Sequence, residues 1–161
     1  LEIGADYLFF LDSDVIPPSD VIYRLLSHKL PIVSGIYCRR SPPHGIPVML
    51  KDKQWLVQYP KNTLLEVDFV GAGCLLISRD VLRNLPPLDP SRGRHWFDWR
   101  VDMPKELIPE GEGVSEDFAF CLHAKKHGYK IIVDRSVMCR HVGLAQATYG
   151  QFVPCEATPV T

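Results

Sequence analysis

No stretch of this 161-residue sequence approaches the length of a membrane-crossing helix, and its first residues lack the basic, apolar and small-residue order of a signal peptide. A cytoplasmic chain is expected. Positive charge is not in excess either: a net charge of −1 offers no broad basic field for nucleic acid. The five cysteines, Cys38, Cys74, Cys121, Cys139 and Cys155, are odd in number, dispersed and without Cys-x-x-Cys spacing. That pattern fits neither a zinc site nor a disulfide framework, so reduced core or surface thiols are expected. Internal repeats and low-complexity tracts are also absent. What remains is an ordinary globular composition, 46% hydrophobic and 23% charged, long enough for one domain with a genuine core and too short for two. Residues 1–161 are read as a single domain.

Asp12-Ser13-Asp14 follows the apolar run Tyr7-Leu8-Phe9-Phe10-Leu11. Two carboxylates one residue apart, just past a buried strand, are costly to hold together unless a cation or phosphate chemistry requires them. Mg²⁺ or Mn²⁺ takes one or two protein carboxylates and fills its shell with substrate phosphates and water. A phosphate-bearing substrate would follow. The competing reading is structural: a polar turn that ends the strand and caps the next helix.

Pro17-Pro18-Ser19-Asp20 supplies a helix start, with Val21, Ile22, Leu25 and Leu26 on one face, and Pro31 closes the segment before Ile32 to Tyr37. Strand, helix, strand predicts a parallel crossover unit whose ligands bind beyond the carboxyl ends of the strands, where the Asp pair lies. Pro47 to Leu50 and Trp55 to Val57 suggest a short hairpin. Glu66 to Ile77 reads as a central strand broken by two glycines that let something approach the backbone, and Arg79 to Leu85 as a short helix. Pro86 to Gly113 is expected to be a long loop with a functional surface. Ser115 caps a helix that Gly128 ends, and Tyr129 to Val133 forms a further strand. After Gly143 no regular element is expected, so 143–161 is read as an irregular tail.

Glu116 and Asp117 occupy the first turn of the Ser115 helix, where exposed N–H groups and the macrodipole stabilise negative charge. That position also suits a carboxylate that must stay ionised and take a proton from a hydroxyl. His141 follows the strand-like Val137-Met138-Cys139 and taken alone has a structural reading or a ligand one. Trp96, Phe97 and Trp99 could stack on an acceptor sugar or pack beneath a loop. Asp68 could bond an acceptor hydroxyl or only satisfy backbone groups. Arg39 and Arg40 could reach a diphosphate or form a solvated strand end.

Taken in order, Asp6 to Asp14, Val67 to Ile77 with its Gly71-Ala72-Gly73, Ser115-Glu116-Asp117 and His141 resemble the glycosyltransferases of the GT-A fold, most closely the family-2-like members. The resemblance runs from about Asp6 to Gly143. It implies an α/β fold, a GT-A (Rossmann-like), mostly parallel sheet flanked by helices, amino-terminally truncated because the strands that hold the nucleotide base are missing. It also implies a transferase using a UDP- or GDP-linked sugar donor and a carbohydrate or other hydroxyl acceptor. Asp14, with Asp12, would bind Mn²⁺ or Mg²⁺ bridging the donor diphosphate, His141 would complete the metal site, and Asp117 would be the base of an inverting reaction. Asp68, Gly73, Trp96, Trp99 and Glu116 would face the acceptor. No Gln-x-x-Arg-Trp string occurs, so a non-processive enzyme is implied. Self-association covering the missing half is among the partners such a chain allows. Two other readings compete: a haloacid-dehalogenase-like phosphatase or phosphotransferase, in which Asp12 is phosphorylated, and a non-catalytic carbohydrate- or partner-binding remnant.

Overall fold

A computed structural model describes residues 4–39, 45–58, 64–89, 91, 96–98, 105–107, 115–143, 145–148 and 151–154. The apolar run forms β1 (Tyr7–Leu11), followed by the two-residue β2 (Val15–Ile16), helix α1 (Val21–Ser27) and β3 (Ile32–Ile36). Val21 and Leu25 of α1 are buried, whereas Ile22 and Leu26 remain 49% and 37% exposed. The seven-residue helix therefore turns a narrower stripe inward than the four expected positions. The hairpin is present as β4 (Met49–Lys51) and β5 (Gln54–Trp55), paired Leu50 to Trp55 and Lys51 to Gln54. Its turn residues Asp52 and Lys53 both have positive φ, 49° and 65°, the signature of a type I′ turn, whose twist matches that of the flanking strands.

The stretch expected as one broken strand is three: β6 (Leu64–Val67), β7 (Phe69–Val70) and β8 (Cys74–Ser78). Helix α2 (Arg79–Asn84) follows, its first turn capped by the Ser78 hydroxyl accepting from the Val81 N–H at 3.4 Å. A 3₁₀ turn at Lys105–Leu107 precedes α3 (Glu116–Lys126), where the Ser115 hydroxyl accepts from the Phe118 N–H at 3.3 Å. Gly128, at φ +84°, turns the chain out of α3 into β9 (Ile131–Met138). β10 (Arg140–His141), β11 (Ala145–Thr148) and β12 (Gln151–Pro154) complete the described elements.

The main sheet has the order β1-β8-β3-β9-β6. Only β3 and β9 are parallel; β1–β8, β3–β8 and β6–β9 are antiparallel. The expected GT-A, Rossmann-like, mostly parallel sheet is therefore corrected to mixed sheets that are mostly antiparallel, with three short helices. The reason is specific. β1 and β3 do run in one direction, as a strand-helix-strand unit requires, but both pair antiparallel with β8, a later strand that inserts between them. Two smaller antiparallel sheets, β12-β11-β10-β2 and β5-β4-β7, flank it. The tail expected to be irregular is likewise corrected: β11 and β12 pair from Ala145–Pro154 to Thr148–Gln151.

The period-two alternation of buried strands divides the core. Ile32, Ile36, Leu75 and Ile77 face a cluster with Val81, Leu82, Phe118, Phe120 and Ala124 of α2 and α3, while Val33, Cys74 and Leu76 face Val21 and Leu25 of α1. Cys38, Cys74, Cys121 and Cys139 are buried free thiols, and Cys155 lies outside the described residues. Among the described residues no helix is long and apolar enough to cross a membrane.

Candidate functional site

Asp12-Ser13-Asp14 forms a tight turn between β1 and β2, closed by the Val15 N–H donating to the Asp12 carbonyl at 3.1 Å. The structural reading of the motif, a strand-ending turn, is thus correct as geometry. What the turn does with its carboxylates is more informative, because they look in different directions.

Asp14 faces β10. β10 pairs with β2, placing His141 opposite Val15, and the Val142 N–H donates to the Asp14 carbonyl at 2.8 Å. His141 Nε2 consequently stands 3.4 Å from Asp14 Oδ2. The other ring nitrogen, Nδ1, is 2.8 Å from the Cys38 carbonyl, which can only accept, so Nδ1 carries hydrogen. In the neutral ring that leaves the Nε2 lone pair directed at the Asp14 side. Metal-ligating histidines commonly donate one ring N–H to a backbone carbonyl and turn the other nitrogen to the ion; here that other nitrogen stands beside Asp14.

Asp12 faces the Gly71-Ala72-Gly73 loop. Its N–H donates to the Gly73 carbonyl at 3.2 Å, extending the β1–β8 ladder by one bond, and a Cβ on Gly73 would lie 2.9 Å from Asp12 Oδ2. The same Cβ would come within 2.8 Å of Tyr37 Cζ, and one on Gly71 would strike the Tyr37 hydroxyl. The two glycines are therefore required by what approaches them: a buried phenol and a carboxylate. Tyr37 accepts a hydrogen bond from the Gly73 N–H at 3.1 Å, and its ring meets His141 edge to face at 5.5 Å. Burial raises the Tyr37 phenol well above its ordinary value, and the charges of Asp117 and Asp12 push it further, against the pull of the Gly73 bond. Tyr37 stays protonated at any physiological pH.

Asp117 closes the site from the start of α3. Burial raises its carboxyl from 3.8 to about 6; the Ala72 N–H bond opposes that shift, and the neighbouring charges of Glu116 and Asp12 add to it. Two like charges, Glu116 and Asp12, thus stand near this carboxylate. Next to it, Glu116 Oε2 is a buried oxygen without a hydrogen-bond partner among the described residues.

The other expected site residues lie as follows. Asp68 is engaged elsewhere: Lys125 bonds its Oδ1, Lys51 stands 3.9 Å away, and the Asp52 N–H donates at 2.7 Å. Burial pushes the Asp68 carboxyl up, but these partners outweigh it and leave it below its ordinary value. Trp96 packs against the core cluster on the α3 side, with its indole Nε1 buried and unpartnered among the described residues. Phe97 stacks on Phe120 at 4.6 Å and tilts against Phe10 at 5.0 Å, so this part of the aromatic cluster is packing rather than an open platform. Trp99 and Arg40 lie outside the described residues. Arg39 sits 5.0 Å over the Trp55 ring. Tyr37, which touches both the glycine loop and His141, was missed by sequence reasoning; its signal was a lone tyrosine just after the apolar strand β3.

Of the metal set Asp12, Asp14 and His141, the fold brings two together. Among the described residues no group of three or more His, Cys, Asp or Glu side chains is placed to hold a metal ion.

No family model matches this chain, and no curated protein does. Among solved structures it is similar to the crystal structure of A197 from STIV, with 16% identity and a TM-score of 0.61 over 99% of this chain and 71% of that one. At that identity the likeness concerns the fold. The fold shared with A197, the mostly antiparallel pairing of the main sheet and the two-membered acidic–histidine group together overturn the expected membership of the GT-A, family-2-like glycosyltransferases, and the chain is not assigned to that family.

Proposed function

We propose that this protein transfers a sugar from a nucleotide-linked donor, UDP- or GDP-linked, to a hydroxyl acceptor, with inversion and without processivity, in a reaction assisted by Mn²⁺ or Mg²⁺. The reading rests on local chemistry and not on family. Its single strongest support is Asp117: a carboxylate raised to about 6 beside the Gly71–Gly73 loop, which Asp12 also touches. Glycosyl transfer needs a base of that kind to take the acceptor's proton, and near-neutral pKa values are what general bases are tuned to.

Asp14 and His141 are suited to hold a hard divalent ion together with donor phosphates, since an ion such as Mg²⁺ keeps several positions for water and phosphate and needs only one or two protein ligands. When bound, the ion would neutralise charge developing on the departing nucleoside diphosphate. Asp12 would stay on the loop side, where its charge helps keep the Asp117 proton affinity high between turnovers. Asp117 would accept the acceptor proton, and the Ala72 N–H would hold that carboxylate in place.

The test is thermal: Mn²⁺ with UDP or GDP is expected to raise the Tm of the protein, and Asp14→Ala to abolish the shift. A shift that does not need the metal, or no shift with either nucleotide, would contradict the proposal.

A further inference from the structure

Tyr37 is buried, yet it lies between three parts of the site that come from distant stretches of sequence. Its oxygen takes the Gly73 N–H at 3.1 Å, its ring edge meets His141, and the backbone of Gly71 to Gly73 wraps it so closely that neither glycine has room for a Cβ. The loop in turn holds both acidic residues: the Gly73 carbonyl takes the Asp12 backbone N–H at 3.2 Å, and the Ala72 N–H donates to the Asp117 carboxylate. A phenol is otherwise an expensive group to bury at a strand end, and a single hydrogen bond to a backbone amide is little return unless the loop's position matters. We infer that Tyr37 is a positioning residue: the Gly71-Ala72-Gly73 loop is folded over its phenol, and through that loop Tyr37 sets where the Asp12 and Asp117 carboxylates stand relative to each other and to His141.

This inference builds on the proposed transfer reaction, but its first test does not need that reaction. In Tyr37→Phe the ring is kept and only the acceptor oxygen is lost, so the Gly73 N–H is left buried without a partner. Amide hydrogen exchange followed by NMR should show loss of protection of about tenfold or more at both Gly73 and Ala72, with Leu75 and Ile77 of β8 unchanged. Gly73→Ala should do the same by the opposite route, because its Cβ cannot coexist with Tyr37 Cζ and Asp12 Oδ2 where they stand. If Ala72 exchanges as in the unaltered protein in both variants, the loop is held without Tyr37 and the inference fails. Where sugar transfer is measurable, Tyr37→Phe should lower kcat about tenfold with the donor KM unchanged; a rise in KM at constant kcat would show that Tyr37 serves donor binding instead. Failure of the unaltered protein to transfer any sugar, with the exchange results as expected, would overturn the proposed function and leave the positioning role standing.

Discussion

Asp134 and Asp117 are both carboxylates largely withdrawn from water, and their surroundings push them in opposite directions. Asp134, 1% exposed in β9, is 2.7 Å from His28 Nε2 at the end of α1 and accepts from the Ser136 N–H at 2.7 Å. Burial alone would raise it, but the bonds to His28 and Ser136 outweigh burial and hold it below its ordinary value. Asp117 has one backbone N–H, two acidic neighbours and a raised value of about 6. The first arrangement ties α1 to β9. The second stores proton affinity at a surface where β1, the glycine loop and α3 meet. A buried carboxylate that is paired and hydrogen-bonded serves the architecture; one left among like charges is unfavourable for the fold and is a candidate for chemistry.

The largest expected effect on stability falls on the architectural side. Asp134→Asn should cost about 1.5–3 kcal/mol, the range for hydrogen bonds to a charged group, and lower Tm by roughly 3–12 °C. Asp117→Asn should cost nothing or stabilise. Calorimetric melting of the two variants side by side checks this, and equal losses would erase the distinction.

A smaller effect, with a definite sign, appears in the pH dependence. The folded pKa of Asp134 is depressed, so its stabilising contribution is present above an unfolded value of about 3.9 and is lost only as the pH falls through the lower folded one. Asp117 is raised, so its contribution is present below its ordinary 3.8 and is lost as the pH rises through about 6. Between pH 7 and pH 5 proton uptake at Asp117 should therefore stabilise the fold while Asp134 contributes no change. Denaturant titrations at those two pH values should show a gain in the unaltered protein that is reduced in Asp117→Asn. An identical difference in both proteins would mean that Asp117 titrates like an exposed carboxylate.

The smallest effect is expected at Asp68, whose partners Lys125 and Lys51 are 35% and 37% exposed. Solvent screening limits such pairs, and Asp68→Asn should change stability by no more than about 1 kcal/mol, read from the urea midpoint. A loss as large as that of Asp134→Asn would show that exposure does not separate these carboxylates.

The sequence made the local elements legible and the long-range ones opaque. The Ser115 cap, the Gly128 exit, the α1 start after Pro17-Pro18 and the hairpin at Met49–Trp55 all follow from residues within a few positions of one another, and each is present. The insertion of β8 between β1 and β3 depends on pairing between Cys74–Ser78 and two strands far away in the chain, which no period within β1, α1 and β3 encodes. The same holds at the site. Asp12, Asp14, Asp117 and His141 were visible as charged or titratable residues at element ends, whereas Tyr37 was hidden because a tyrosine in an apolar strand looks like core until the glycine loop is seen folded around it. The aromatic cluster at Trp96-Phe97 had two readings in the sequence, a sugar platform or packing beneath a loop, and the stacking of Phe97 on Phe120 decides for packing at Phe97.

The central claim, that Asp117 is held for proton transfer and not for the fold, is tested most directly by measuring sugar transfer and Mn²⁺–nucleotide binding together in Asp117→Asn. Transfer should fall by about 10²–10⁴-fold, the usual contribution of a general base, with binding unchanged by calorimetry. Turnover equal to that of the unaltered protein would contradict the account.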